Sequence, residues 1–174
     1  KYRPTTIDEC ILPKGIKKTF QDFVDRGEIP NMLLSGPPGI GKTTVAKALC
    51  NQLGADYYVI NGSDEGRFLD TVRTNAKNFA STVSLTSESK HKVIIIDEAD
   101  NTTSDVQLLL RASIEEFSKN CRFIFTCNYK NKIIDPLHSR CTVVDFSINK
   151  KDKPTIAAQF FSRLTTILEE EKID

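Results

Sequence analysis

The stretch MLLSGPPGIGKTTVAKAL, Met32 to Leu49, decides the fold. Met32-Leu33-Leu34 is the short apolar run of a buried strand, and Val45, Ala48, Leu49 and Leu53 recur at helical spacing beyond it. Between them Gly36-Pro37-Pro38-Gly39-Ile40-Gly41-Lys42-Thr43 matches GxxxxGK[ST], after a strand and before a helix as that motif requires. Its glycines let successive backbone N–H groups converge on phosphate oxygens, helped by the positive end of the following helix. Lys42 then supplies a point charge to the β and γ phosphates of a nucleotide, and the Thr43 hydroxyl, followed by Thr44, a ligand for Mg2+.

A cradle of this kind needs carboxylates, and KVIIIDEAD, Lys92 to Asp100, supplies them. Val93 to Ile96 is a β-branched run suited to a strand buried on both faces of a parallel sheet. Asp97, at its end, holds Mg2+ through water, and Glu98 orients and deprotonates an attacking water. For Asp100, solvation of a helix N-terminus is as good an account as chemistry. Asp97-Glu98-Ala99-Asp100 also spells the tetrapeptide that labels DEAD-box RNA helicases.

Two further polar positions follow. Phe123-Ile-Phe-Thr-Cys-Asn128 ends a strand in an Asn that can hold the nucleophilic water or read the γ phosphate, although an Asn after a strand is commonly a turn former. In Pro136-Leu-His-Ser-Arg-Cys141, Asp135 and Pro136 suit a short helical turn. Arg140 is either surface charge or the cation that stabilises the transferring phosphoryl group, an effect worth ~10³–10⁵ in rate. Spacing does not say whether it reaches its own nucleotide or a neighbour's.

Strands predicted near residues 32–34, 57–60, 93–96, 123–125 and 142–146 alternate with helices, the pattern of a parallel five-stranded α/β sheet with helices on both faces. Ser63-Asp64 is a plausible N-cap for a helix running toward Phe79. After Phe146 the polar, basic SINKKDK reads as a linker, and Pro154 opens a helix with Ile156, Phe160, Leu164, Ile167 and Leu168 in register. The expected organisation is a P-loop domain over 1–148 and, over 149–174, a linker and the first helix of a further domain.

The 174 residues carry 24 Lys and Arg against 23 acids, so polyanion binding has to be local. Five cysteines without a CxxC pair or clustered histidines argue against zinc and for reduced thiols, hence a cytoplasmic protein. No apolar run approaches the ~18 residues of a membrane span.

Taken together, KYRP, TIDECIL, GPPGIGKTT, NGSDEGR, NFAS, IIIDEAD, TCN and HSRC resemble the AAA+ module of sliding-clamp loaders, the replication factor C small-subunit family. TIDECIL and NFAS tilt the resemblance toward the large clamp-loader subunit of T-even-type phages, and Ser139-Arg140-Cys141 after an Asn-ended strand is its most specific element. The resemblance implies an AAA+ P-loop NTPase that uses ATP and Mg2+, with Lys42, Thr43, Asp97 and Glu98 at the chemistry and Asn128 as sensor one. Arg140 becomes an arginine finger acting in trans in a five-subunit ring. Tyr2, Arg3, Pro4 and the strip with Ile11 and Leu12 lie along the adenine and ribose. Ser63, Asp64 and Arg67, with Arg73 and Lys77 behind, face primer–template DNA; the alternative is a capped surface helix. Phe79 and Ala80 contact the sliding clamp, unless Phe79 is an ordinary core residue. Gln107 and Arg111 couple DNA contact to the carboxylates, and residues 149–174 start a helical lid domain.

Other readings remain. A DEAD-box-like helicase has an Ala-Xaa-Thr-Gly cradle and a Ser-Ala-Thr triplet where this chain has GPPG and Thr-Cys-Asn. A non-hydrolysing ATP-gated scaffold tends to lose the Lys or the Glu that this chain keeps. Within the fold, a helicase loader or replication initiator is opposed by Ser139-Arg140-Cys141 alone.

Overall fold

Five parallel strands form one sheet in the order β2-β3-β4-β1-β5, where β1 is Met32–Ser35, β2 Tyr57–Asn61, β3 Lys92–Asp97, β4 Cys121–Cys127 and β5 Thr142–Asp145. This is a computed structural model, and it describes residues 4–38, 41–64, 70–81, 92–118, 121–146 and 153–171. The expected strands are all present. Side chains of β3 alternate between two cores: Val93 and Ile95 pack with Phe20, Val45, Leu49 and Phe146, while Ile94 and Ile96 pack with Leu110, Ile114, Phe123 and Phe125. Burial on both faces is what the β-branched run requires.

Helices cover each face. On one lie α1 (Lys14–Arg26), ending at Gly27, and α2 (Lys42–Gln52); on the other lies α4 (Ser104–Glu116), capped by the Thr103 hydroxyl, which accepts from the Val106 N–H at 3.3 Å. The short α5 (Asp135–His138) has Pro136 in its first turn, as expected. Behind the 63–64 turn the chain is wound as a π-helix over Thr71–Ala76 before α3 (Lys77–Ser81).

The last helix, α6 (Lys153–Glu170), keeps its predicted face at Ile156, Ile167 and Leu168 and departs from it at Phe160 and Leu164. Phe160, Phe161 and Leu164 are exposed by 55%, 67% and 40%, whereas the partly covered positions are Ile156, Gln159, Arg163, Ile167 and Leu168. Apolar spacing predicts which residues can share a face but not which face docks, and here polar bonds to the segment before α1 choose it.

The order of strands positions the site. β4 pairs with β3 on one side and β1 on the other, with Leu34 opposite Thr126 and Ile96 opposite Phe125. The carboxyl ends of β1, β3 and β4 therefore lie side by side, the edge at which open α/β sheets bind ligands.

Candidate nucleotide site

A cleft of about 260 Å³ opens at that edge, lined by Pro38, Gly41, Lys42, Thr43, Asp97, Glu98, Thr126 and Asn128 among others. Gly41 caps α2 with φ 86°, a left-handed conformation that a side chain strains, and so turns the loop into the helix. A larger cleft of about 540 Å³, lined by Phe23, Arg26, Asn31, Arg122 and Thr142, lies at the opposite end of the strands and holds no acid pair among its lining residues.

Lys42 is 7% exposed, and its three ammonium donors have three acceptors: the carbonyls of Gly36 (2.6 Å) and Pro37 (2.9 Å) and Asn128 Oδ1 (3.1 Å). Burial pushes its pKa down, while Cys127, Asp100 and Asp97 act to raise it. Asn128 thus touches the motif lysine directly, which a turn former has no need to do.

Two hydroxyls converge on one oxygen of Asp97. Thr43 Oγ1 donates to Oδ1 at 2.7 Å, and Thr126 Oγ1 donates to the same atom at 2.5 Å. Thr126 is 2% exposed and also accepts the Glu98 N–H at 3.1 Å. It fastens both acidic residues that end β3 to β4. Sequence reasoning gives Thr126 no role; its only signal is a hydroxyl after the apolar run Phe123-Ile124-Phe125, two residues before Asn128.

Glu98 is the only non-glycine with positive φ among the described residues (φ 54°, ψ 46°), a conformation that costs glycine nothing but an L side chain ~1–2 kcal/mol. Its surroundings maintain that turn. The Asn101 N–H donates to its carbonyl at 3.0 Å, and Gly62 packs against it so closely that a Cβ there would meet the Glu98 oxygen at 2.6 Å. The Gly62 N–H also donates to the Asp97 carbonyl at 2.7 Å. The Asn61–Asp64 turn and the acidic turn are therefore stacked backbone on backbone.

Asp100 is not a solvated helix cap. Its Oδ2 accepts the backbone N–H groups of Asn128 and Tyr129, each at 3.2 Å, tying the turn after β3 to the turn after β4. Gln107, 1% exposed, makes a second tie: its amide donates to the carbonyls of Thr102 (3.3 Å) and Lys132 (3.1 Å) and accepts the Ile134 N–H at 2.8 Å. Arg111, one turn along α4, has a buried Nε without a hydrogen-bond partner among the described residues.

Arg140 does not line the cleft. It donates to Glu115 Oε1 through Nε (2.9 Å) and Nη2 (2.5 Å), and to the Pro136 carbonyl at 3.1 Å. That pairing holds the Glu115 carboxyl below its usual range.

Pro4 and Ile11 line a neighbouring cleft of about 230 Å³ with Gly41 and Thr44. Leu12, expected beside them, is instead turned into the core: its side chain is fully buried and both its backbone polar groups are bonded to Gln159. Ser63 and Asp64 are exposed at the end of β2, with Asn61 Oδ1 accepting the Ser63 N–H (2.9 Å) and hydroxyl (2.6 Å). Phe79 is partly buried, its ring 5.9 Å from that of Tyr58 and 5.1 Å from Lys92 Nζ. Tyr2, Arg3, Gly39, Ile40 and Arg67, and the side chains of Arg73 and Ala80, lie outside the described residues.

The cysteines behave as core residues. Cys10, Cys50, Cys121 and Cys127 are buried, and no described group of His, Cys, Asp or Glu could hold a metal on its own. Burial pushes the thiols up, to about 11 at Cys10 and Cys127 and about 12 at Cys50, Cys121 and Cys141. Among the described residues no helix is long and apolar enough to cross a membrane.

Residues 32–148 match the ATPase family associated with various cellular activities (AAA). The chain belongs to the AAA family of ATPases. It is 45% identical over 177 residues to the sliding-clamp-loader large subunit of Escherichia phage RB69, a match that covers 100% of this chain and 54% of the relative. With that of Enterobacteria phage T4 it is 46% identical over 176 residues, 99% of this chain and 54% of the relative. With the replication factor C small subunit of Methanocella arvoryzae it is 44% identical over 161 residues, 89% and 49%. The chain thus spans about half the length of these curated relatives. The solved Thermotoga maritima RuvB Holliday junction branch migration motor shares the fold of the AAA chain, with a TM-score of 0.66 over 94% of this chain and 55% of that one at 23% identity. The resemblance drawn from GPPGIGKTT to HSRC is therefore borne out, and the AAA module is the parallel five-stranded sheet expected.

Proposed function

We propose that this AAA module is the ATPase part of a sliding-clamp loader. With ATP bound, the loader grips and opens a ring-shaped clamp and takes up primer–template DNA; hydrolysis releases the closed clamp on the DNA during replication. The observation that carries this reading is a division within the site. Lys42, Thr43, Asp97, Glu98 and Asn128 share one cleft, whereas the candidate finger Arg140 stands outside it on Glu115. A site built so needs its last cation from a neighbour, as a ring of subunits would supply.

The donor set suits Mg2+. The Thr43 hydroxyl and the Asp97 carboxylate are hard oxygen donors 2.7 Å apart, and a hard cation takes oxygen ligands of this kind. When bound, Mg2+ neutralises charge on the β and γ phosphates. The chain's own residues do the rest. Phosphate oxygens replace the loop carbonyls on the Lys42 ammonium, since charged acceptors make the stronger hydrogen bonds. Glu98, held in its turn by Thr126 and Gly62, takes the proton of the attacking water, and Asn128 orients that water or senses the γ phosphate. Arg140 stabilises the charge on the transferring group in the adjacent subunit.

DNA dependence would travel through the backbone stack. Ser63 and Asp64, with Arg67, meet primer–template DNA, and Gly62 beside them touches the Glu98 carbonyl. Phe79 and Ala80 meet the clamp, Gln107 and Arg111 couple DNA contact to Asp97 and Glu98, and residues 149–174 begin the lid domain beyond the ATPase domain of 1–148. The loader works in the cytoplasm, that of the host where a phage encodes it. Against the helicase spelling stand GPPG and Thr-Cys-Asn, where such an enzyme has Ala-Xaa-Thr-Gly and Ser-Ala-Thr.

The test is the ATPase of the intact protein with its partner subunits, measured with clamp, with primed DNA, with both and with neither. Synergistic stimulation by the two, abolished by Arg140→Ala, is expected. Turnover indifferent to the clamp would refute the loader and favour another AAA replication ATPase.

A further inference from the structure

The final helix meets the module through polar side chains, and one of them reads a single residue completely. Gln159 donates from Nε2 to the Leu12 carbonyl at 2.7 Å and accepts the Leu12 N–H on Oε1 at 3.1 Å, as a neighbouring strand would. Lys17 Nζ reaches the same Oε1 at 3.3 Å and also bonds the carbonyls of Asp8 (2.9 Å) and Cys10 (3.2 Å). One turn further along α6, Arg163 pairs with Glu9 at 3.3 Å. The segment 8–12 is thereby held on alternate carbonyls by two side chains from two different helices.

This segment is one wall of a cleft. Pro4 and Ile11 from this side, Gly41 and Thr44 from the phosphate loop and α2, and Arg163 and Ile167 from α6 enclose about 230 Å³. Gly41 and Thr44 also line the cleft that holds Lys42 and Asp97, so the two spaces adjoin at the start of α2. A nucleotide whose phosphates lie on the loop has this second space for its base.

We propose that Gln159 is a positioning residue for the nucleotide base: by binding both backbone groups of Leu12 it ties α6 to the strip that forms the base-side wall. The inference rests on the nucleotide reading of the site. The Gln159 amide faces backbone and not the cleft, so its effect passes through the position of Ile11 and Pro4. Phosphate recognition by Lys42 and the loop is independent of it. Affinity for the base and affinity for the phosphates should therefore respond differently when the amide is lost.

The experiment compares Mg2+-ATP with Mg2+-triphosphate, which has no base, by calorimetric titration of the intact protein. Gln159→Met keeps side-chain length and helix propensity and removes both bonds to Leu12 together with the one from Lys17; Gln159→Glu keeps the acceptor for the Leu12 N–H and Lys17 but sets a carboxylate against the Leu12 carbonyl. Two neutral hydrogen bonds of ordinary strength correspond to about a tenfold change. The Met variant is expected to bind ATP about tenfold more weakly and the Glu variant, which keeps the bonds from the Leu12 N–H and Lys17, to be weakened less; both should bind triphosphate unchanged and retain kcat at saturating ATP. Equal weakening of ATP and triphosphate, or no change in either, overturns the proposal. Failure of the unaltered protein to bind ATP would instead overturn the nucleotide reading beneath it.

Discussion

Replacing Thr126 by valine keeps the shape of the side chain and removes only its hydroxyl. In the native site that hydroxyl donates to Asp97 Oδ1 at 2.5 Å and accepts the Glu98 N–H at 3.1 Å, at a position 2% exposed. The substitution therefore deletes a buried hydrogen bond to a carboxylate and leaves the Glu98 N–H without this acceptor. The first is worth ~1.5–3 kcal/mol, and an unsatisfied buried donor costs ~1–3 kcal/mol. Relaxation and the added apolar burial offset part of this, so a loss of about 2–3 kcal/mol is expected, read as a lower midpoint in denaturant. The consequence for turnover is larger than for binding. Lys42 and its loop are untouched, so the KM for ATP should hold within about twofold. Glu98 loses a contact that fixes its strained turn, and since misplacement by ~1 Å can cost 10²-fold, kcat should fall at least tenfold. Thr126→Ser retains both donor and acceptor and should restore kcat. A valine variant with wild-type kcat, or one whose defect lies wholly in KM, would refute the argument that Thr126 sets the acidic pair.

Asp100→Ala should lower kcat by about tenfold and leave ATP affinity nearly intact, because it frees the Asn128 turn while the phosphate loop keeps its geometry; steady-state ATPase beside equilibrium ATP binding checks it. The buried thiols should stay protonated up to about pH 11, since burial disfavours the thiolate, whereas an ordinary cysteine ionises near pH ~8.5. Native protein at about pH 9 is therefore expected to resist iodoacetamide at Cys10, Cys50, Cys121 and Cys127 and to label fully in denaturant, with peptide mass mapping as the readout.

Residues whose role is local are legible in the chain itself. Lys42 and Thr43 lie in a contiguous loop whose chemistry depends on near neighbours, and Asp97 and Glu98 end a strand recognisable from its β-branched run. Asn128 is ambiguous in sequence, since a strand-ending Asn is equally a turn former; only the folded chain brings it to Lys42, 86 residues away. Asp100 and Thr126 escape a linear reading for a related reason. Each acts across a gap of 28 or 29 residues, and nothing in the spacing of their own segment reports the partner. The apolar stripe of α6 is legible only in part, because amphipathicity marks a face without saying what covers it: Ile156, Ile167 and Leu168 are partly covered beside Gln159 and Arg163, while Phe160 and Leu164 stay exposed.

Hydrophobic period and glycine chemistry act over a few neighbouring residues. The alternation of strands and helices, the phosphate loop and the two acidic residues therefore follow from the sequence alone. The position of β4 between β1 and β3 does not; it is a property of the folded chain. That placement carries Thr126 to Asp97 and Asn128 to Lys42, while β2, on the other side of β3, sets the Asn61–Asp64 turn against Glu98. Strand order follows from which apolar faces pack and which crossovers close, a balance summed over the whole chain. A catalytic geometry that depends on it is invisible in any one segment.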